Sequence, residues 1–374
     1  MLCFIPYKYL IVTCVPLIVA HHTNIPHRRV RHNLSKHFSD VATNLGFSGN
    51  SNYSNDQSLV MACFVSLLTD MEAEVRAAAV AHFANMVHWG GSALFQQHLG
   101  PLLPALADDV VMEVRSKCAS AIMDSSVGGT LTDTIILQSF GPLLESFLQD
   151  EFQEVQLQVL GNLHKLSHLL EKMETVTNAI INMAKSTNWR VREGVAKLLP
   201  HLAQAKGSKF FEEQLLQQAW LVLLLDPVAS VRAACVVGMK ILVKSCGVDW
   251  MVQTILPHHV RIYSHAASGS YLVRITILQA HAATAVACSE TSNTEGSLWN
   301  DVVHHVVQGL NDKVPNVRMV AAHGLADICA AAEDPSQKAL VDATIAPALQ
   351  KKVSEEEDMD VRYACEGALA NCSK

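Results

Sequence analysis

Apolar residues recur along this chain with two periods, one short and one long. On the short scale they return every three to four positions, as on one face of a helix: Val75, Ala79 and Phe83, or Val191, Val195 and Leu199. On the long scale such a stripe is opened nine times by Val-Arg or a close variant. The openings are Val30-Arg31, Val75-Arg76, Val114-Arg115, Val155-Gln156, Val191-Arg192, Val231-Arg232, Val273-Arg274, Val317-Arg318 and Val361-Arg362. The shortest step, Val155 to Val191, is 36 residues and the longest, Val30 to Val75, is 45. Each period reads as a first helix of mixed apolar pattern, an acidic or polar turn, and a second amphipathic helix begun by Val-Arg. First helices are predicted over roughly 58–69, 96–107, 132–149, 174–185, 211–225, 250–264, 299–311 and 338–353.

Two helices repeated about every forty residues are the signature of stacked units of the HEAT or armadillo kind. The expected fold is all-α: an α-α superhelix, a HEAT-repeat solenoid of about eight to nine two-helix repeats. A chain of 374 residues would ordinarily suggest two or three domains, but a repeat array is one continuous object and escapes that count. The array is assigned to residues 28–374, after an apolar leader over 1–27. In the leader, Leu10 to Ala20 has the length of a signal-peptide core but only Lys8 as a preceding positive side chain. A cleaved signal is the minority reading, as are glycans at the sequons starting at Asn33, Asn52 and Asn371. Gly46 to Gln57 and Ser289 to Gly296 read as loose polar stretches. Pro101, Pro142, Pro257 and Pro347 are expected to kink first helices, and Pro200 a second helix.

Position within the repeat assigns roles. Eight residues after each Val the chain carries Phe38, Phe83, Ile122, Leu163, Leu199, Met239, His281, Leu325 and Leu369. His281 alone is not apolar, and is expected to be a core histidine bonded to a carbonyl. Cys118, Cys235 and Cys365 stand four after Val, where the other repeats carry aliphatic residues, and read as core fillers. Six before the arginine, or Gln156, stand Asp70, Asp109, Asp150, Asp226, Asp312 and Glu356. An acidic side chain there can cap free amides at the start of the second helix. Because acid and arginine recur in step, stacking is expected to build a ladder of exposed pairs, each contributing ~0–1 kcal/mol.

Composition narrows the function classes. Charged residues make up 17% of the chain, below the usual quarter or so, and aromatics 6%, so small aliphatics fill the core. A net charge of −7 and no basic stripe argue against nucleic acid as a partner. Ten cysteines without a CxxC spacing offer no zinc knuckle and suit a reducing compartment. No phosphate-binding glycine loop, nucleophile elbow or HExxH helix occurs. Asp301 and His305 share helical spacing, but two ligands do not make a site. The expectation is a non-enzymatic protein with no cofactor, no metal and no membrane, in the cytoplasm with the nucleus also open to it.

A repeated turn ridge is a surface for binding proteins. Two residues before each Val stand Arg28, Ala73, Met112, Gln153, Trp189, Ala229, Tyr271, Pro315 and Met359. Trp189, followed by Arg190, and Tyr271, followed three residues on by Arg274, are of the types enriched at binding hot spots. The plainer reading is that each ring folds back on its own helix pair.

Thr69-Asp-Met-Glu-Ala-Glu-Val-Arg-Ala-Ala-Ala79, Asn188-Trp-Arg-Val-Arg192, Phe210-Phe-Glu-Glu213, Trp250 with Ile255-Leu-Pro257, and Asp360-Val-Arg-Tyr-Ala364 carry a family resemblance. In these segments the chain resembles the scaffold (A) subunit of protein phosphatase 2A, over the last nine of that family's fifteen repeats. The resemblance implies a non-catalytic scaffold whose partner is a phosphatase catalytic subunit, gripped by the turns of the half spanning 157–374. By position it implies protein-binding roles for Trp189, Arg190, Arg232, Tyr271, Arg274, Val314 and Asn316. Ala229 departs from it, standing where the family has an aromatic. About six N-terminal repeats that hold a regulatory subunit have no counterpart here, which weakens the expectation of that second partner. The alternative is a general HEAT-repeat adaptor, a transport or assembly factor binding an unrelated protein.

Overall fold

The computed structural model describes residues 27–44, 47, 54–266, 269–290 and 297–372, and among them no strand occurs. The leader before His27 and most of both loose stretches lie outside the described residues; at their edges Phe47 is buried and Ser54 and Ser297 open helices. The chain divides into two compact units, residues 1–180 and 181–374.

In each unit the Val-Arg helices stack on one another in chain order. In the first unit these are Arg28–Lys36, Ala73–Val80, Met112–Ser125 and Gln153–Asn162. In the second they are Trp189–Lys206, Ala229–Cys246, Tyr271–Ser289, Pro315–Ala331 and Met359–Cys372. Helices such as Asp133–Leu148 and Ser297–Gly309 precede them in the repeat and pack beside them. The chain is a HEAT-type helical solenoid in architecture, as the forty-residue period requires.

The periodic stripe is the core. Val75, Ala79 and Phe83, and Val191, Val195 and Leu199, are all buried, as are Cys118, Cys235 and Cys365. Burial pushes the Cys118 thiol up to about 12 and the Cys365 thiol up to about 11, which makes both poor nucleophiles. Close packing is clearest at Gly238. A Cβ there would lie 2.7 Å from Cγ of Pro200 and 3.1 Å from Cη2 of the fully buried Trp220. The Tyr271–Ser289 helix is long and apolar enough to cross a membrane, yet 61% of that stretch is buried within the fold.

First helices fall where the pattern places them, but four of the eight are not single α-helices. Pro101, Pro257 and Pro347 each follow a wide π-type turn, over Phe95–Leu99, Met251–Ile255 and Val341–Ile345. Proline has no N–H to donate, and the wider turn accommodates the carbonyls it leaves without a partner. Pro142 and Pro200 behave otherwise, lying inside the continuous helices Asp133–Leu148 and Trp189–Lys206. Three second helices are also broken. One ends at Lys36 and restarts at Phe38, one ends at Val80 and restarts at Phe83, and one passes at Leu163 into a 3₁₀ stretch reaching Lys172. In the second unit Gly207 and Gly247, at φ 86° and 84°, stop two long helices and let the next begin one residue later. Only glycine adopts that backbone readily.

Candidate functional site

The acid and arginine of each turn do form a ladder, but its wiring differs from the expected exposed pairs. Six of the arginines reach forward to the acid of the following repeat, whereas Arg232 meets the Thr276 hydroxyl and Arg362 the carbonyl of Glu356 in its own turn. In the first unit Arg31 meets Asp70 at 2.6 and 3.1 Å, Arg76 meets Asp109 at 2.6 and 2.9 Å, and Arg115 meets Asp150 at 2.6 and 2.9 Å. In the second, Arg192 meets Asp226 at 2.6 and 3.0 Å, Arg274 meets Asp312 at 2.6 and 2.9 Å, and Arg318 meets Glu356 at 2.9 and 2.7 Å. All are two-pronged, with Nε and Nη2 on the two carboxylate oxygens.

The remaining nitrogen, Nη1, reaches back to its own turn. It donates to the carbonyl of Asp70 from Arg76 at 2.7 Å, of Asp109 from Arg115 at 2.7 Å and of Asp312 from Arg318 at 2.9 Å. Gln156 keeps this backward bond through its side-chain amide, 2.8 Å from the carbonyl of Asp150. The acid also holds its turn, though two residues earlier than a helix cap would. Oδ1 of Asp109 accepts from the Val111 amide at 2.9 Å and that of Asp312 from the Val314 amide at 2.9 Å, and both residues precede their helices. Helix capping by a side chain falls instead to Asn188, which accepts from the Arg190 amide at 2.8 Å, and to Thr132 and Asp334.

The ladder is largely shielded from solvent, which changes its energetics. Burial opposes ionisation of Asp150, Asp226 and Asp312. The facing guanidinium and the turn amide outweigh it and hold these carboxyls below their usual range. Glu356, buried but bonded to Arg318 and the Asp358 amide and close to Lys352, is held at about 2. Fork-shaped charge-assisted pairs of this kind are strong, and removing one partner strands the other.

Outside the ladder the turns present side chains to solvent. Trp189 opens its helix half-buried, and the exposed Arg190 lays its guanidinium over the indole, 4.6 Å from the ring centroid. Tyr271 is 40% exposed at the start of its helix, and Asn316 is exposed beside the half-buried Val314. Ala229 is exposed too, with no ring to offer. The structure places Arg232 and Arg274 elsewhere. Both guanidiniums lie inside the ladder, at 9% and 1% exposure, and not on its outer face. Of the residues singled out from sequence, Trp189 and Arg190 are thus brought together as a surface pair, while the two arginines hold turns.

Several exposed apolar residues on the same turns escape a reading based on the position two before Val. Met71 and Val110 are 85% and 91% exposed, and each directly follows a ladder acid. Phe152 is exposed as well, with Arg115 lying over its ring at 5.4 Å. Met359, two before Val361, and Tyr363, within the last helix, are also exposed. For Met71 and Val110 the signal in the sequence is an apolar residue next to the acid, where a turn has no core to fill.

His281 also differs from expectation. Neither ring nitrogen has a protein partner, and the ring stacks between His259 at 5.4 Å and His305 at 5.2 Å. Burial pulls His259 down to about 3 and His281 well below the usual histidine range, so the stack is neutral. Among the described residues no group of three or more His, Cys, Asp or Glu is placed to hold a metal ion.

A family model described as HEAT repeat matches residues 302–332. No curated protein sequence matches the chain. Among solved structures, the karyopherin Kap121p bound to Nup53p is 14% identical with a TM-score of 0.68, over 98% of this chain and 41% of that one. Kap121p bound to Pho4p gives 14% identity and a TM-score of 0.68, over 98% and 42%. Kap95p, in a structure concerned with RanGDP, gives 15% and 0.63, over 96% and 47%. The chain spans less than half the length of these neighbours, and at such identity the likeness is one of fold.

Proposed function

Taking the chain as a HEAT-repeat helical solenoid, we propose that it is a non-catalytic adaptor that holds a protein partner along its ridge of turns. The stacked pair Trp189 and Arg190 carries this reading: an indole and a guanidinium, displayed together on a turn whose ladder arginine, Arg192, is already committed to Asp226. Large rings and arginines with rigid neighbours are the side chains that dominate binding energy at interfaces. Tyr271 and Asn316 extend the same face along the second unit. The solved neighbours Kap121p and Kap95p support the adaptor reading in kind, since their structures are complexes with proteins such as Nup53p and Pho4p or concern one such as RanGDP.

A narrower reading is favoured by one further observation. Thr69 to Ala79 and Asn188 to Arg192 resemble the scaffold subunit of protein phosphatase 2A, and the latter segment contains the displayed pair. On this reading the partner is the catalytic subunit of a 2A-type Ser/Thr phosphatase. The exposed Ala229 then lacks one ring of the contact face and weakens the grip. Affinity capture with the intact chain, compared with the double change Trp189→Ala and Arg190→Ala, tests both. Loss of the dominant co-purifying protein, by about tenfold or more for a hot-spot pair, is the expected result. Recovery untouched by the double change would sink the ridge reading. A dominant partner that is not a phosphatase would leave the adaptor and remove the scaffold.

A further inference from the structure

Within the second unit a cavity of about 100 Å³ lies among three helices. Tyr263 and Ser264 reach it from the helix Leu256–His265, His281 from Tyr271–Ser289, and His305 and Gln308 from Ser297–Gly309. Leu278 and Val260 supply its apolar wall. His281 and Leu278 are buried, whereas Ser264 and Gln308 are exposed, so the cavity has a shielded floor and a mouth that opens to water. Three shielded ring nitrogens of its lining residues have no hydrogen-bond partner among the described residues: Nδ1 and Nε2 of His281, and Nδ1 of His305. Buried polar groups in folded proteins are nearly always paired, because an unmet one bears its full desolvation cost. The fold itself does not call for a histidine here, since Phe83, Leu199 and Leu325 at the same repeat position are buried and apolar.

The lining decides the chemistry of an occupant. A neutral imidazole carries one N–H and one lone pair, so the two nitrogens of His281 need a group that both accepts and donates. Burial disfavours protonation of His281 and His305, and the floor therefore offers an anion no positive charge. Among the described residues no carboxylate, lysine or arginine lines the cavity. Asp301 acts on His305 from outside the lining, one helical turn away, and Asp312 is committed to Arg274. Size follows from volume: a cavity of ~150 Å³ accepts benzene, so this smaller one takes a group of a few heavy atoms. A carboxamide meets all of these demands. Its donor and acceptor are separate atoms and can serve two rings, which a hydroxyl must do through one oxygen.

We propose that this cavity is a binding site for a neutral primary carboxamide, which completes the hydrogen bonding of His281 and His305. The group arrives on a small free molecule or as the side chain of a glutamine or asparagine. None of Trp189, Arg190, Tyr271 and Asn316 lines the cavity, so the site is independent of the partner ridge.

The test uses the full chain labelled at histidine ring nitrogen and follows the His281 and His305 signals by nuclear magnetic resonance. The probes are acetamide, acetone and acetate, which are alike in shape and heavy-atom count. Acetamide is expected to give a saturable shift at both rings. Acetone, which cannot donate, and acetate, which is charged, should bind about fivefold or more weaker. His281→Leu, which restores the apolar type of the other repeats, abolishes the acetamide response read at His305. The peptide N-acetyl-Gly-Gln-Gly-amide and its Glu counterpart separate the two sources. A response selective for the Gln peptide admits a side chain, and a response to acetamide alone restricts the site to free molecules. No saturable shift with acetamide, or acetone or acetate binding as well as acetamide, overturns the proposal, because water or the chain's own Gln308 then satisfies the floor. That contrast is read on the unaltered chain and does not depend on the variant folding.

Discussion

Arg115 and Asp150 sit 35 residues apart in the chain and meet through two parallel hydrogen bonds of 2.6 and 2.9 Å, both side chains mostly shielded from water. The same guanidinium also grips the carbonyl of Asp109 in its own turn at 2.7 Å. One side chain therefore fixes the turn that bears it and the repeat that follows.

Arg115→Met removes both functions at once. It leaves the Asp150 carboxylate without its cation, and breaking one side of a shielded pair costs about 3–5 kcal/mol. Urea unfolding of the variant should show that loss. Adding Asp150→Leu should recover part of it, because the stranded charge goes too, so the double change costs less than the two single ones summed. Strict additivity would mean that the pair is not coupled.

Acid should loosen the ladder in a defined window. Glu356 has a folded value of about 2 against an ordinary 4.5, so the unfolded chain takes up its proton first as pH falls. Its contribution is complete above about pH 4.5 and drains away between there and about pH 2. Thermal melts across that range should fall more steeply for the native chain than for Glu356→Gln.

The histidine stack titrates the other way round in charge but the same way in stability. His259 binds its proton only near pH 3 when folded, against 6.5 for an ordinary histidine, and His281 is displaced in the same direction. Between those values the unfolded state holds more protons, so stability falls as pH drops below about 6.5, by ~1.4 kcal/mol per pH unit for each neutral ring. His281→Leu restores the aliphatic type found at this position in other repeats. It should flatten the slope between pH 6.5 and 4; an unchanged slope would place the titration elsewhere.

Gly238→Ala drives a methyl group to 2.7 Å from Pro200 and 3.1 Å from Trp220. Neither a proline ring nor a fully buried indole yields easily, and overpacking of this kind costs ~1–3 kcal/mol. Calorimetry should register the drop, with a shift in tryptophan fluorescence as the ring environment opens.

Met71→Ser with Val110→Ser changes two side chains that touch mostly water. Stability should move by no more than about 0.5 kcal/mol. A larger drop in a chemical melt would show that these residues pack against something within the unit.

The architecture was legible because one pattern acts at every level. Val75, Ala79 and Phe83 recur at helical spacing, and their burial follows from the spacing alone. The partnership of acid and arginine was legible as co-occurrence, but its direction was not. Arg76 reaches Asp109 and not Asp70, because the distance between adjacent repeats, which no one-dimensional pattern contains, decides which carboxylate lies within reach. For the same reason Arg274 looked like a surface partner of Tyr271 and proved to be enclosed. Trp189 and Arg190, neighbours in sequence on a turn without a ladder acid of its own, were visible from the start. The stacking of His259, His281 and His305 joins three helices and needed their packing to appear. Prolines were half-readable: the residue says that a bond is missing, but only the surrounding packing decides between the wide turn before Pro257 and the unbroken helix through Pro142.

The forward wiring of the rungs bears on how such a chain can change in length. In the run from Asp70 to Asp150 each module carries one acid facing backward and one arginine facing forward, so excising or duplicating a whole period inside that run joins an arginine to another acid and leaves no charge unmatched. A recombination that cuts between the acid and the arginine, within the six residues of the turn, orphans both. Such an array can be edited by gene duplication in whole steps, and its turns mark where the joints must not fall.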